Sequence, residues 1–310
     1  MEQREIIEGL RKGINEVFVG KEDVVEDVLT CFLAGGHLLI EDVPGVGKTT
    51  LALALAKSVD CSFGRIQFTP DTLPTDVTGV SIYDMKEELF RYEEGVIMHQ
   101  ILLADEINRT SPKTQASLLE AMAEGQVTVD GQVYELPKPF MVIATQNPVE
   151  FLGTYPLPEA QLDRFMMRLT IGYPSREQEI RLASLFLEGK TLKTLDAVCS
   201  VKEILGLKEL VEAVTVKDIV LEYIEDIVEG TRKEEKFVLG ASPRAMLALT
   251  RASQARAFLQ GRDFVKPDDV RAMAEPVLTH RLTLSSDAKL QKLRVEQVLK
   301  NVILKVKVPM

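Results

Sequence analysis

Short apolar runs alternate with helical patterns through the first half of the chain. The runs are His37–Ile40, Ile66–Phe68, Ile101–Ala104, Phe140–Ala144 and Met167–Ile171. Runs of this kind, separated by helical stretches, predict a parallel sheet flanked by helices. Lys48–Val59, rich in Ala and Leu, fits one such helix. Another opens with Pro112 as its first residue behind a Ser111 cap, carries Leu118, Leu119 and Met122 on one face, and stops before Gly125. Two insertions interrupt the plan. Val80–Tyr83 and Leu89–Tyr92 can pair as strands, and Val127–Val129 and Val133–Glu135 flank Asp130-Gly131, a strong hairpin signal. After about Tyr173-Pro174 the strand pattern ends. Ile219, Val220, Tyr223, Ile224, Ile227 and Val228 repeat at helical spacing, and Met246, Leu249 and Ala252-Ser253 follow Ser242-Pro243 in the same way. The expected architecture is an α/β domain over residues 1–173 and a smaller all-helical domain over residues 174–310.

Composition narrows the class. At 310 residues, 45% hydrophobic and 27% charged, the chain suits a globular protein with room for two domains. No apolar stretch approaches the length of a membrane span, and Met1-Glu2-Gln3-Arg4-Glu5 lacks the look of a secretion signal, so a cytoplasmic protein is expected. Cys31, Cys61 and Cys199, and His37, His99 and His280, are too scattered to suggest a disulfide framework or a metal cluster. A net charge of −10 speaks against broad polyanion binding.

Candidate chemistry begins at residues 38–50, Leu-Leu-Ile-Glu-Asp-Val-Pro-Gly-Val-Gly-Lys-Thr-Thr. An apolar strand, a turn containing Gly45 and Gly47, and then Lys-Thr opening a helix predict a phosphate-binding loop. Its backbone N–H groups and helix dipole would face the phosphates, Lys48 would meet the β- and γ-phosphates, and Thr49 would offer a hydroxyl to Mg²⁺. The strict motif asks for Gly at position 42, and Asp42 stands there. Fifty-seven residues after Lys48, Ile101–Ala104 runs into Asp105-Glu106. The first carboxylate suits the Mg²⁺ shell and the second can deprotonate an attacking water. Phe140–Ala144 leads to Thr145-Gln146-Asn147-Pro148, an apolar strand with a polar tip at the edge where such sheets bind ligands. Arg164, in Gln161-Leu162-Asp163-Arg164-Phe165, and Arg244, in Ala241-Ser242-Pro243-Arg244, are candidates for cations at the transition state. Arg244 stands in a helix's first turn, where it opposes the dipole and calls for an anion.

Together these residues resemble the AAA+ ATPases, and within them the MoxR family, over nearly the whole chain. The resemblance rests on Phe68–Gly79, Ala104–Arg109, Gln115–Met122, Ala144–Pro148 and Gly153–Phe165. The family tolerates Glu-Asp before Val-Pro-Gly, which accommodates Asp42. The resemblance implies that Pro44, Gly45, Val46, Gly47, Lys48, Thr49 and Thr50 form Walker A, with Asp105-Glu106 as Walker B. It further implies that Asn147 is sensor 1, Arg164 the arginine finger serving a neighbouring subunit, and Arg244 the sensor 2 arginine, in cis or in trans. Arg168 is a second candidate for the trans contact. Val19-Gly20 is similar to the segment lining the adenine pocket. Residues 80–92 would be the helix-2 insertion and 127–135 the hairpin before sensor 1, both facing a ring's pore. The implied cofactors are ATP and Mg²⁺, and the implied assembly is a homo-oligomer, usually hexameric. The implied client is a protein carrying a von Willebrand factor A domain, acted on in a chaperone-like way that often serves metal insertion or maturation.

Two other readings compete. Related AAA+ clades with the same insertions include helicases, but the hairpin over residues 127–135 contains Asp130 and Glu135 and no basic residue, unlike a loop that tracks nucleic acid. Nucleic acid is therefore not an expected partner. A scaffold that binds nucleotide only to assemble would have no need of Glu106, Asn147 and Arg164.

Overall fold

The computed structural model describes residues 3–147, 153–189 and 192–309. The chain divides into two compact units, one of residues 1–28, 37–157 and 169–205, the other of residues 29–36, 158–168 and 206–310.

A parallel sheet organises the first unit. In chain order its strands and insertions are β1 (Leu38–Glu41), β2 (Phe63–Gln67), β3 (Gly79–Asp84), β4 (Leu89–Glu94), β5 (Ile101–Asp105), β6 (Gln126–Val129), β7 (Gln132–Glu135), β8 (Met141–Gln146) and β9 (Met167–Leu169). Five of these form one sheet in the order β2-β5-β8-β1-β9. Leu38–Ile40, Ile101–Ala104 and Met141–Ala144 are fully buried, as expected of central strands covered on both faces. The predicted apolar runs thus coincide with the strands to within a few residues. Helices α1 (Gln3–Val17), α2 (Glu22–Leu33), α3 (Lys48–Ser58), α4 (Pro74–Thr78) and α5 (Pro112–Glu124) are interleaved with them. The Ser111 hydroxyl accepts the N–H of Thr114 and caps α5, worth about 1 kcal/mol. Both insertions are antiparallel hairpins, β3 with β4 and β6 with β7. Asp130 and Gly131 both take positive φ, 49° and 79°, the geometry of a two-residue type I′ turn. The Tyr92 and Tyr134 rings stack with centroids 4.0 Å apart and brace one hairpin against the other. Helices α6 (Glu159–Leu162), in the second unit, and α7 (Arg176–Leu187), in the first, follow in sequence.

The second unit is mainly helical. It is built on the C-terminal part of α8 (Val201–Glu212), with α9 (Asp218–Lys233), α10 (Pro243–Leu259), α11 (Pro267–Leu278), α12 (Ser286–Leu290) and α13 (Val295–Lys305). Five of the six periodic residues of α9, Val220, Tyr223, Ile224, Ile227 and Val228, form its buried stripe, while Ile219 is exposed in the first turn. Periodicity misses one feature. A two-stranded ribbon, β10 (Phe237–Leu239) with β11 (Thr283–Leu284), makes this part not all-helical, and strands of two or three residues are too short to show a pattern. Among the described residues no helix is long and apolar enough to cross a membrane.

Candidate active site

Strand register brings the predicted carboxylates and the loop lysine to one edge. In β5 and β8, Ala104 pairs with Ala144; in β8 and β1, Thr145 pairs with Ile40 and Gln146 with Glu41. The carboxyl ends of all three strands therefore converge, with Asp105 beside Thr145, Asn147 one residue past Gln146, and the loop Asp42–Lys48 rising from β1. Asn147 is buried, at 6% exposure, while Pro148 lies outside the described residues.

The loop has the backbone that phosphate binding demands. Gly45 and Gly47 have φ of 84° and 97°, values open to Gly at little cost, and Gly47 leads directly into α3. Lys48 opens that helix, with Thr49 and Thr50 following, while Pro44 and Gly45 are exposed and Val46 is buried beneath them. The Lys48 ammonium donates to the Asp42 carbonyl at 2.7 Å. Burial pushes the Lys48 pKa down, and the charges of Asp105, Asp42 and Glu106 oppose that shift. The Phe18 ring packs on Gly47, where an added Cβ would meet it at 3.1 Å. This places Val19 and Gly20 next to the loop.

The acid pair is more elaborately held than the sequence suggests. Thr145 Oγ1 donates to Asp105 Oδ1 at 2.6 Å and accepts the backbone N–H of Glu106 at 2.9 Å. Arg65 reaches Asp105 Oδ2 at 2.9 Å, and Gln67 Nε2 reaches Glu106 Oε2 at 2.7 Å. Arg109 Nη1 donates to that same Glu106 oxygen at 3.0 Å. Glu106 itself takes φ 57° and ψ 50°. A left-handed non-glycine residue costs about 1–3 kcal/mol, and such strain persists only where neighbours enforce it. Here the Thr145 hydroxyl holds the Glu106 N–H, and Gln67 and Arg109 hold its carboxylate. Sequence reasoning overlooked Arg65, Gln67, Arg109 and Thr145. The first two sit at i and i+2 on β2, a polar pair on one face of a strand adjacent to β5. Gln115 is a further pin. It is 1% exposed, and its amide donates to the carbonyls of Ile107 and Tyr155 at 3.1 and 2.9 Å, tying the turn after Glu106 to the segment at Tyr155.

Thr49 and Asp105 offer one hydroxyl and one carboxylate, hard oxygen donors of the kind Mg²⁺ takes beside a polyphosphate. The glycine-lined cradle, and a lysine resting on a carbonyl that phosphate oxygens can replace, fit a Mg²⁺-nucleotide.

Arg164 and Arg244 belong to the second unit, where they flank one polar cluster. Asp163 receives Arg281 Nε at 2.6 Å and the Ser242 hydroxyl at 3.1 Å, and Ser242 caps α10 by accepting the N–H of Ala245. The Arg281 guanidinium also donates to the carbonyls of Phe165 at 2.7 Å, Met166 at 3.0 Å, and Val277. Arg164 follows Asp163 directly, and Arg244 is two residues past Ser242, exposed in the first turn of α10. Asp163 thus holds the N-terminal cap of α10 through Ser242. Arg168, the second trans candidate, pairs with Glu296 at 3.2 Å. His280, packed against Arg281, is buried; burial foremost, and the Arg281 charge next, hold its pKa well below the usual value.

Residues 37–167 match the ATPase family associated with various cellular activities (AAA), and residues 229–302 match the AAA lid domain. The chain is 40% identical over 305 residues to Chaperone MoxR1 of Mycobacterium tuberculosis, covering 96% of this chain and 80% of that protein. It is 52% identical to the uncharacterised Bacillus subtilis protein YeaC over 296 residues, covering 96% and 92% of the two chains. A crystal structure of a Cytophaga hutchinsonii protein superposes with a TM-score of 0.91 at 35% identity, over 99% of this chain and 96% of that one.

Proposed function

The chain belongs to the MoxR family of AAA+ ATPases, and from that premise we propose that it hydrolyses ATP with Glu106 as base, as one subunit of a ring acting on a protein client. The observation that carries the reading is the convergence of the Lys48 loop, Asp105-Glu106 and Asn147 at the carboxyl ends of β1, β5 and β8. The N–H groups of the Gly45–Thr49 backbone and the Lys48 ammonium bind the phosphates, with Val19-Gly20 alongside the base. Asn147 orients a water against the γ-phosphorus. Glu106 takes a proton from that water as the new P–O bond forms and the bond to the ADP oxygen breaks. Thr49 and Asp105 would hold Mg²⁺, which neutralises phosphate charge when bound. Arg164 supplies a cation to a neighbouring subunit's site, and Arg244 supports a γ-phosphate in cis or in trans.

Chaperone-like work on a client draws support from the relative named Chaperone MoxR1. The hairpin β3–β4 suits a protein client, since Met85 and Phe90 are 85% and 69% exposed near its tip. A hexamer, a partner with a von Willebrand factor A domain and a role in metal insertion are further parts of the proposal.

The test is Glu106→Gln, which keeps size and hydrogen bonding but removes the base. Turnover should fall by about 10²-fold or more while ATP binding persists, whereas Lys48→Ala should lose binding. Parental turnover in Glu106→Gln rules out Glu106 as the base.

A further inference from the structure

Asp42 occupies the position where the strict phosphate-loop motif has glycine, and its carboxylate is fully engaged. The residue is 6% exposed. Its Oδ2 accepts the backbone N–H groups of Ile171 and Gly172, each at 2.6 Å, and its Oδ1 accepts the N–H of Val43 at 2.8 Å. Ile171 and Gly172 begin a segment that runs into α7. At the segment's other end, Gln178 Nε2 donates to the Gly20 carbonyl at 2.6 Å, and Lys21 Nζ donates to the Tyr173 carbonyl at 3.2 Å. Gly20 and Gln178 approach so closely that a Cβ on residue 20 would fall 2.3 Å from the Gln178 amide. Residues 171–178 therefore connect the root of the phosphate loop with the Val19–Lys21 segment.

The charge of Asp42 makes its purpose specific. A carboxylate beside Lys48 competes with phosphate for that cation, so glycine would serve a bare polyphosphate better. What Asp42 offers that glycine cannot is an anchor for two N–H groups of another segment.

We infer that Asp42 is a positioning residue, and that residues 171–178 form a brace setting the distance between the loop Asp42–Lys48 and the Val19–Lys21 segment. Triphosphate and base of one nucleotide are then gripped at a fixed separation. The inference rests on the nucleotide-binding reading above. It assigns Asp42 and Gln178 to discrimination between a nucleotide and a bare polyphosphate chain.

Calorimetric titration of ATP and of inorganic tripolyphosphate into the full chain tests it. Asp42→Gly, which restores the strict motif, should weaken ATP binding about tenfold while tripolyphosphate binds as before or tighter. Gln178→Glu acts at the far end. It keeps an oxygen for the Ser175 N–H, now at 2.8 Å, but sets a second oxygen against the Gly20 carbonyl. The same selective loss is expected, and the double variant should lose less than the product of the two single effects. Equal weakening of both ligands by Asp42→Gly overturns the inference, as does parental ATP affinity in either variant. If Asp42→Gly fails to fold, Gln178→Glu decides alone. A parent chain that binds neither ligand overturns the nucleotide reading and the brace with it, a failure distinct from a parent that binds both.

Discussion

The side-chain amide of Gln67 donates a 2.7 Å hydrogen bond to the carboxylate of Glu106. Arg109 donates to the same oxygen at 3.0 Å, so the proposed base is held by two donors before any water reaches it. The carboxylate must loosen these contacts before that oxygen can face a water, so the two donors restrain its movement. Gln67→Ala removes one donor from an exposed position on β2. Steady-state kinetics should show turnover rising by about two- to fivefold with KM nearly unchanged, because the freed carboxylate turns more readily toward the attacking water. A fall in turnover would show that Gln67 aligns Glu106 for the reaction and does not restrain it.

Thr145 governs both acids through one hydroxyl. Thr145→Val preserves shape in a fully buried position but strands the N–H of Glu106 and one oxygen of Asp105. Leaving such a buried group unpaired costs about 1–3 kcal/mol. Because Asp105 is the proposed Mg²⁺ ligand, the Mg²⁺ concentration for half-maximal turnover should rise by about tenfold. A magnesium titration of the variant, with folding followed by circular dichroism, checks this.

These partners show what the sequence reveals and what it hides. Lys48, Asp105 and Asn147 are legible because each ends a fully buried strand or opens the helix that follows, and apolar runs announce those positions. The Ser111 cap is legible for a related reason, since capping chemistry is local. Arg65 and Gln67 are hidden because their meaning depends on β2 lying beside β5, a pairing between residues about 40 apart in sequence. Asp42 looks like a defect in a motif until Ile171 and Gly172, far along the chain, are seen to need an acceptor. Local pattern encodes the elements and the residues at their tips. The side chains that restrain those tips come from strand order, which no local window contains.

His280 gives the second unit a pH dependence of defined sign. Its pKa is held well below about 6.5 by burial and by Arg281, so the folded state keeps it neutral where the unfolded chain takes up a proton. Above pH 6.5 both states are neutral and the residue adds no pH dependence. As pH falls below 6.5, the unfolded state is favoured by up to about 1.4 kcal/mol per pH unit, until the folded-state pKa is reached. Urea unfolding between pH 7.5 and 5.5 should therefore show the parent losing stability more steeply than His280→Asn. Equal slopes would mean that His280 is protonated in the folded protein.

Asp163 links the backbone segments that carry the two candidate arginines. Its carboxylate joins Arg281 to the Ser242 cap of α10, so the backbone that carries Arg164 and the turn that carries Arg244 share one anchor. Asp163→Ala leaves both arginines in the chain but removes that anchor and leaves the Arg281 charge buried without its carboxylate. If Arg164 completes a neighbour's site, as proposed, the variant should lose about as much turnover as Arg164→Ala, of the order of 10³-fold, while keeping its own Lys48 loop intact. Subunit mixing separates this from simple misfolding. Asp163→Ala subunits retain a good Glu106 and Glu106→Gln subunits retain a well-placed Arg164, so mixtures should recover hydrolysis that neither variant shows alone. Recovery that fails for Asp163→Ala but succeeds for Arg164→Ala, with both variants assembling, would confine Asp163 to holding its own unit together.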